Sequence, residues 1–329
     1  MERGLIFAVA AMMLWGLLDA SNRYAVVALG ADPWVFSCMN LITGALILLA
    51  IAGKGQGGLE TLRHGHTWVF GFFRVLMTLF LVFAFTAVSA SEANFMLRIN
   101  VVMALFAAWV VLGRKPTWTD MPGLLVLIGG YSVMVARQQD GLLNWAVILV
   151  ILAAVCDTIM TMIAEVHPAS KKASGLKARC RYTGVVLLVT SVFFCMIAYG
   201  IAELKVHITD PTLLDSAFGK VLSKAPSLSS FTHPGTLISA VVIGLVLRAP
   251  SMYLYLYAAR LMKSENLIMI ATLSPFATLA AESIFVSSGW LQAATLDTID
   301  VLAGVCMTCG AVSMILLRII RKRRKTLDI

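Results

Sequence analysis

Long apolar blocks alternate with short polar breaks along the whole chain. Ten blocks approach or exceed the length of a membrane span, at roughly 5–28, 34–52, 68–88, 92–112, 120–136, 142–164, 181–202, 236–259, 266–287 and 299–317. A span needs about 20 mostly apolar residues. The pattern therefore predicts an all-α integral membrane protein with ten transmembrane helices, and so little chain remains that no soluble catalytic domain is expected. The first block is too long for a cleavable leader and lacks a small-residue cleavage site, so it reads as a span. Composition agrees: of 329 residues 60% are hydrophobic and 13% charged, against about 25% charged in soluble domains. Mean hydropathy is +0.88.

The formal net charge of +9 changes meaning once it is placed. With the amino terminus in the cytoplasm, 18 basic residues fall in cytoplasmic segments, including the tail Arg318, Arg321, Lys322, Arg323, Arg324 and Lys325. Only Arg137, Lys205, Lys220 and Lys224 fall outside. The positive-inside rule then puts both termini in the cytoplasm of a plasma or inner membrane. The basic tail is expected to lie on anionic lipid, and no nucleic-acid partner is implied.

Of six cysteines, Cys306 and Cys309 have C-x-x-C spacing but lie in an apolar block next to Gly310, where small packing residues are the expected reading. His64 and His66 offer two ligands without a third. No metal and no cofactor is expected.

The blocks repeat. Arg74 is followed by Ala84 and Ser91-Glu92-Ala93-Asn94; Arg248 is followed by Ala258 and Ser264-Glu265-Asn266. Gly123, Gly129-Gly130 and Ser132 match Gly304, Gly310-Ala311 and Ser313. Asp19, five residues after Leu14, matches Asp157, five after Leu152. Five spans per unit is an odd number, so the second copy runs inverted. Residues 1–137 form the first five-helix repeat and 142–329 the second, packed as one membrane domain because residues 137–141 are too short for a flexible linker. Inverted repeats place a site near the midplane at their interface. The segment 203–233 contains Asp210-Pro211, a helix start. An interfacial helix is expected near 210–224, either anchored on the outer leaflet or covering the external mouth.

The motifs Leu14-Trp15-Gly16, Arg74…Ala84…Ser91-Glu92-Ala93, Leu112-Gly113, Gly123…Gly129, Ser274-Pro275 and Gly304…Gly310 occur in this order over nearly the whole chain. In this the sequence resembles the drug/metabolite transporter superfamily, specifically its EamA-like ten-helix group. The resemblance implies export of amino acids or related metabolites. Departures are Arg114 where an acidic residue usually follows Leu-Gly, Asn100-Val101 where a mid-span proline is usual, and the long 203–233 segment.

Ionisable residues inside spans are costly and mark functional sites. Trp15, Asp19 and Arg23 share one helical face, and Asp19 and Arg23 at i,i+4 can also neutralise each other. Asp157 heads a similar stripe with Thr161 and Glu165. Arg248, near the middle of its span, and Tyr255 share a face suited to gripping a carboxylate or phosphate. Arg74 is the repeat partner of Arg248, and Asn94 and Arg98 lie four apart. Ser274, Thr278 and Glu282 line one face past Pro275, which frees the carbonyl of Ala271 toward a polar cavity. The expected substrate-binding set is Trp15, Asp19, Arg74, Asn94, Arg98, Asp157, Arg248, Tyr255, Ser274 and Thr278, with Asp19, Asp157 and Glu282 as candidate proton carriers.

No Gly-x4-Gly-Lys-Ser/Thr loop is present, and nothing resembles an enzyme. The expected function is secondary active transport, as exporter or exchanger, of a small polar anionic or zwitterionic metabolite by alternating access. Three rivals remain at this point: a proton-coupled exporter of cationic or lipophilic compounds, a non-transporting scaffold or sensor on a transporter fold, and a handler of lipid-linked head groups with a laterally opening cavity. The Gly123…Gly129 and Gly304…Gly310 faces leave room for helix–helix association, including a homodimer.

Overall fold

The computed structural model describes residues 2–55, 59–113, 117–166, 175–207, 225–261, 270–292 and 296–327. The 210–224 segment, Ser264-Glu265-Asn266, and the side chains of Glu165 and the basic tail lie outside the described residues.

The described chain is helical, and helices occupy all ten expected positions. They are α1 (Glu2–Val27), α2 (Pro33–Ala52), α3 (Gly65–Ala84), α4 (Ala90–Met96), α5 (Asn100–Leu112), α6 (Met121–Ala136), α7 (Trp145–Val166), α8 (Leu176–His207), α9 (Pro234–Ile243), α10 (Ala249–Leu261), α11 (Ser274–Ser287) and α12 (Thr298–Leu327). The pairs α4–α5 and α9–α10 each form one interrupted span. Among the described residues eight helical stretches are long and apolar enough to cross a membrane, and Thr298–Met314 is a shorter apolar one. The chain is thus a multi-pass integral membrane protein.

Local chemistry sets the boundaries. Asp32 caps α2, its Oδ1 accepting from Trp34 N and Val35 N at 3.0 Å each, with Pro33 at the first turn where no N–H is needed. Ser89 caps α4 by accepting from Glu92 N at 3.0 Å. Gly113 ends α5 at φ 65°, a left-handed turn that glycine enters without strain.

The packing has an internal exchange symmetry. α1 packs against α10 and α11; α7 packs against α3 and against α4 and α5; α2 pairs with α8, and α6 with α12. Replacing each span by the one five positions on returns the same set of neighbours. Small residues allow the close approaches. A methyl group at Gly123 would lie 2.5 Å from the Gly310 carbonyl oxygen, and one at Gly130 2.8 Å from that of Ala303. The glycine faces are therefore used inside the chain, between α6 and α12. Gly130 rather than Gly129 makes the contact, since Gly129 faces open space. The buried core runs through this centre, with Phe36, Phe85, Phe95, Met96, Leu127 and Met134 fully buried.

Three spans are interrupted within their length. Between α4 and α5 the chain tightens into a 3-10 turn at Leu97–Ile99. No proline causes it. Instead Arg98 Nε donates to Asn94 O at 3.0 Å, a side chain supplying a donor to its own helix. Between α9 and α10 the backbone widens into a π turn at Gly244–Arg248, with Ala249 N donating to Gly244 O. Pro250 explains the widening: its ring would clash with the carbonyl four residues back in an α-helix, and a π turn relieves that clash. Thr272 and Leu273 form a turn before α11, whose first residues are Ser274 and Pro275.

Candidate functional site

These interruptions meet around one polar cluster. α1 supplies Trp15 and Asp19, α2 Asn40, α3 Arg74, α4 Asn94, the 3-10 turn Arg98, α5 Asn100, α7 Asp157, the π turn Arg248, α10 Tyr255 and α11 Ser274 and Thr278. Asn94 Nδ2 donates to Asp19 Oδ2 at 3.0 Å and reaches Thr278 Oγ1 at 3.4 Å. Asn100 Nδ2 donates to Asp157 Oδ2 at 2.7 Å. The two aspartates are thus held in parallel fashion, each by an asparagine of the fourth span. Arg248 Nε donates to Asn40 Oδ1 at 2.8 Å. Its side chain lies over Gly44, where a methyl group would come 2.7 Å from Arg248 Cγ. Trp15 and Tyr255 stack with ring centroids 4.8 Å apart.

The charges share one field. Asp19 interacts electrostatically with Arg248, Arg98 and Arg74. Asp157 interacts with Arg74 and Arg98, while Arg74 and Arg248 repel each other. Asp19 and Tyr255 are only partly exposed.

The three arginines differ in what they have left to offer. Arg98 is committed to the scaffold. Beyond the Asn94 carbonyl, its Nη1 donates to Ala271 O at 3.0 Å and its Nη2 to Ser274 Oγ at 3.4 Å. The carbonyl freed by Pro275 is therefore satisfied by Arg98. Arg74 is the reverse case: it is 6% exposed, its Nε has no partner among the described residues, and its Nη1 reaches only Met77 Sδ at 3.9 Å. Trp15 Nε1 and Asn40 Nδ2 are likewise buried donors without an acceptor, and Asn100 Oδ1 is a buried acceptor without a donor.

Arg23 corrects a local expectation. It does not pair with Asp19 but with Glu282, Nη1 to Oε1 at 3.1 Å. The same carboxylate accepts from Ala90 N at 2.8 Å, Ser91 N at 2.9 Å and the Ser91 hydroxyl. Glu282 thus sits at the amino terminus of α4 as an anionic cap, one helical end away from the cluster. Near that same end Gln138 donates to Glu92, and Arg137 pairs with Asp297 at 2.8 Å and Asp300 at 2.9 Å.

The sequence reading missed Asn40 and Asn100. A neutral amide in an apolar block carries no charge signal, although each is a costly residue there unless it has a partner.

An interrupted-helix bundle enclosing paired ionisable groups is the architecture of this multi-pass membrane protein. Residues 2–136 match the EamA-like transporter family, consistent with the drug/metabolite transporter superfamily; members of that family are transporters rather than enzymes. No curated protein matches the sequence. A solved crystal structure is similar over 96% of this chain and 98% of its own, with a TM-score of 0.55 and 15% identity. That likeness concerns the fold alone.

Proposed function

We propose that the chain is a secondary active transporter, exporter or exchanger, of a small polar anionic or zwitterionic metabolite by alternating access. One observation carries the reading. Arg74 and Arg248 occupy corresponding positions in the two proposed repeats, 1–137 and 142–329, and belong to one polar cluster, where Arg248 Nε donates to Asn40 while Arg74 Nε has no partner among the described residues. Buried polar groups are almost always partnered, so the unmet donor of the buried Arg74 supports a ligand beside it. Asp19 and Asp157 are the proposed proton carriers. Glu282, engaged by four donors, holds helices together in this reading. Both termini are assigned to the cytoplasm on the 18-to-4 distribution of basic residues.

Counterflow in proteoliposomes tests this. Exchange of an anion or zwitterion is expected, with Arg248→Ala abolishing it. Exchange confined to organic cations and indifferent to Arg248→Ala would refute the proposal in favour of a cation exporter.

A further inference from the structure

We propose that the central cluster receives a hydroxylated monocarboxylate, a single carboxylate without a compensating ammonium, held between Arg74 and Arg248. The inference rests on the reading of this cluster as the solute site and narrows what that solute is.

Charge comes first. Three arginines (Arg74, Arg98, Arg248) and two aspartates (Asp19, Asp157) make the cluster, so in the state in which neither proposed proton carrier holds a proton the set carries one excess positive charge. A buried charge without compensation is expensive. A monoanion brings the set to neutrality. A zwitterion leaves the excess where it was, and its ammonium would be a fourth buried cation among three. A phosphomonoester, at about −1.5 to −2, overshoots in the other direction.

Hydrogen bonding points the same way. Among the described residues, the cluster's unmet donors are Arg74 Nε, Trp15 Nε1 and Asn40 Nδ2; others, such as Arg23 Nε and Trp34 Nε1, lie outside it. The Asn40 amide orientation is fixed because its Oδ1 accepts from Arg248. Three donors with two guanidinium groups behind them call for an acceptor-only group with several lone pairs, which an ionised carboxylate is. The aspartates do not offer an amine site of equal quality, since each already accepts from an asparagine and lies among arginines. The unmet acceptor, Asn100 Oδ1, has its orientation fixed by the bond from Nδ2 to Asp157. It asks for one neutral donor, and a hydroxyl supplies it. The Trp15–Tyr255 stack provides an apolar wall for a short carbon skeleton.

The test uses the purified full-length protein and a matched probe set: lactate, propionate, lactamide, alanine, 1-amino-2-propanol and glycerol phosphate. Binding is read by thermal shift and titration, independently of any transport assay. Lactate is expected to bind most tightly and propionate next, with lactamide and the amine giving no shift. Trp15→Phe keeps an aromatic face toward Tyr255 and removes the indole N–H together with the second ring. It should weaken lactate about tenfold or more, the usual loss for a bond to a charged group, and the same variant should weaken propionate by a similar factor, since both present the carboxylate to that donor. Alanine, the amine or glycerol phosphate binding as well as lactate would overturn the proposal, as would no response to any probe. If counterflow succeeds only with zwitterions, the inference falls while the transporter reading stands. If lactate binds but nothing is exchanged, the transporter reading falls and the site survives.

Discussion

Removing the two partners of the Arg23–Glu282 ion pair should have very unequal consequences. Glu282 is buried and Arg23 partly buried, at 3% and 12% exposed. Arg23→Met deletes the cation but leaves Glu282 accepting from Ala90 N, Ser91 N and the Ser91 hydroxyl. An anion at a helix amino terminus is itself stabilised by about 0.3–2 kcal/mol, so this change should cost only about 1 kcal/mol. Glu282→Leu strands the Arg23 guanidinium in a buried setting, at about 3–5 kcal/mol, and removes a cap from α4, at about 1 kcal/mol more. The two substitutions should differ by several kcal/mol, on the order of 10 °C in melting temperature. The double variant should be more stable than Glu282→Leu alone, because the stranded charge is gone. Thermal unfolding of the three variants in detergent measures this. Equal losses from Arg23→Met and Glu282→Leu, or a double variant no better than Glu282→Leu, would refute the view that Glu282 is first a helix cap and second an ion-pair partner.

Two further outcomes are expected. Gly44→Ala places a methyl group 2.7 Å from Arg248 Cγ, near the root of a buried side chain; the arginine must shift, so counterflow should fall sharply and the melting temperature should drop by a few degrees. Arg98→Met leaves the Ala271 carbonyl without its 3.0 Å donor, at about 1–3 kcal/mol. Adding Pro275→Ala restores a backbone N–H in reach of that carbonyl, so the double variant should unfold at a higher temperature than Arg98→Met alone.

Apolar block length and glycine spacing made the fold legible in the sequence. The Gly123 and Gly310 positions recur because two helix backbones touch there, and that requirement shows directly as a missing side chain. Asp19 and Asp157 were legible for the same reason of cost: a carboxylate in an apolar block stands out. Partners were not legible. Arg23 lies four residues from Asp19, and local spacing suggests that pair, but the carboxylate that holds it is 259 residues away. Arg98 looked like a ligand group by charge alone, yet a carbonyl 173 residues away takes its Nη1 donor. Asn40 and Asn100 gave no signal, because an amide's importance inside a membrane depends on which neighbour it meets. The π turn at Gly244–Arg248 follows from Pro250 only once the helix is seen to continue past it.

The Glu282 cap also makes the two ends of the bundle chemically unlike. At the spacing that relates Asp19 to Asp157, Arg23 corresponds to Thr161; at the spacing that relates Ser91 to Ser264, Glu282 corresponds to Trp109. Neither counterpart carries charge. Among the described residues, one end is thus held by an ion pair between Arg23 and Glu282. In the proposed alternating-access cycle that pair would favour the state in which the two side chains meet, and a neutralising substitution there would move the balance without touching the solute site.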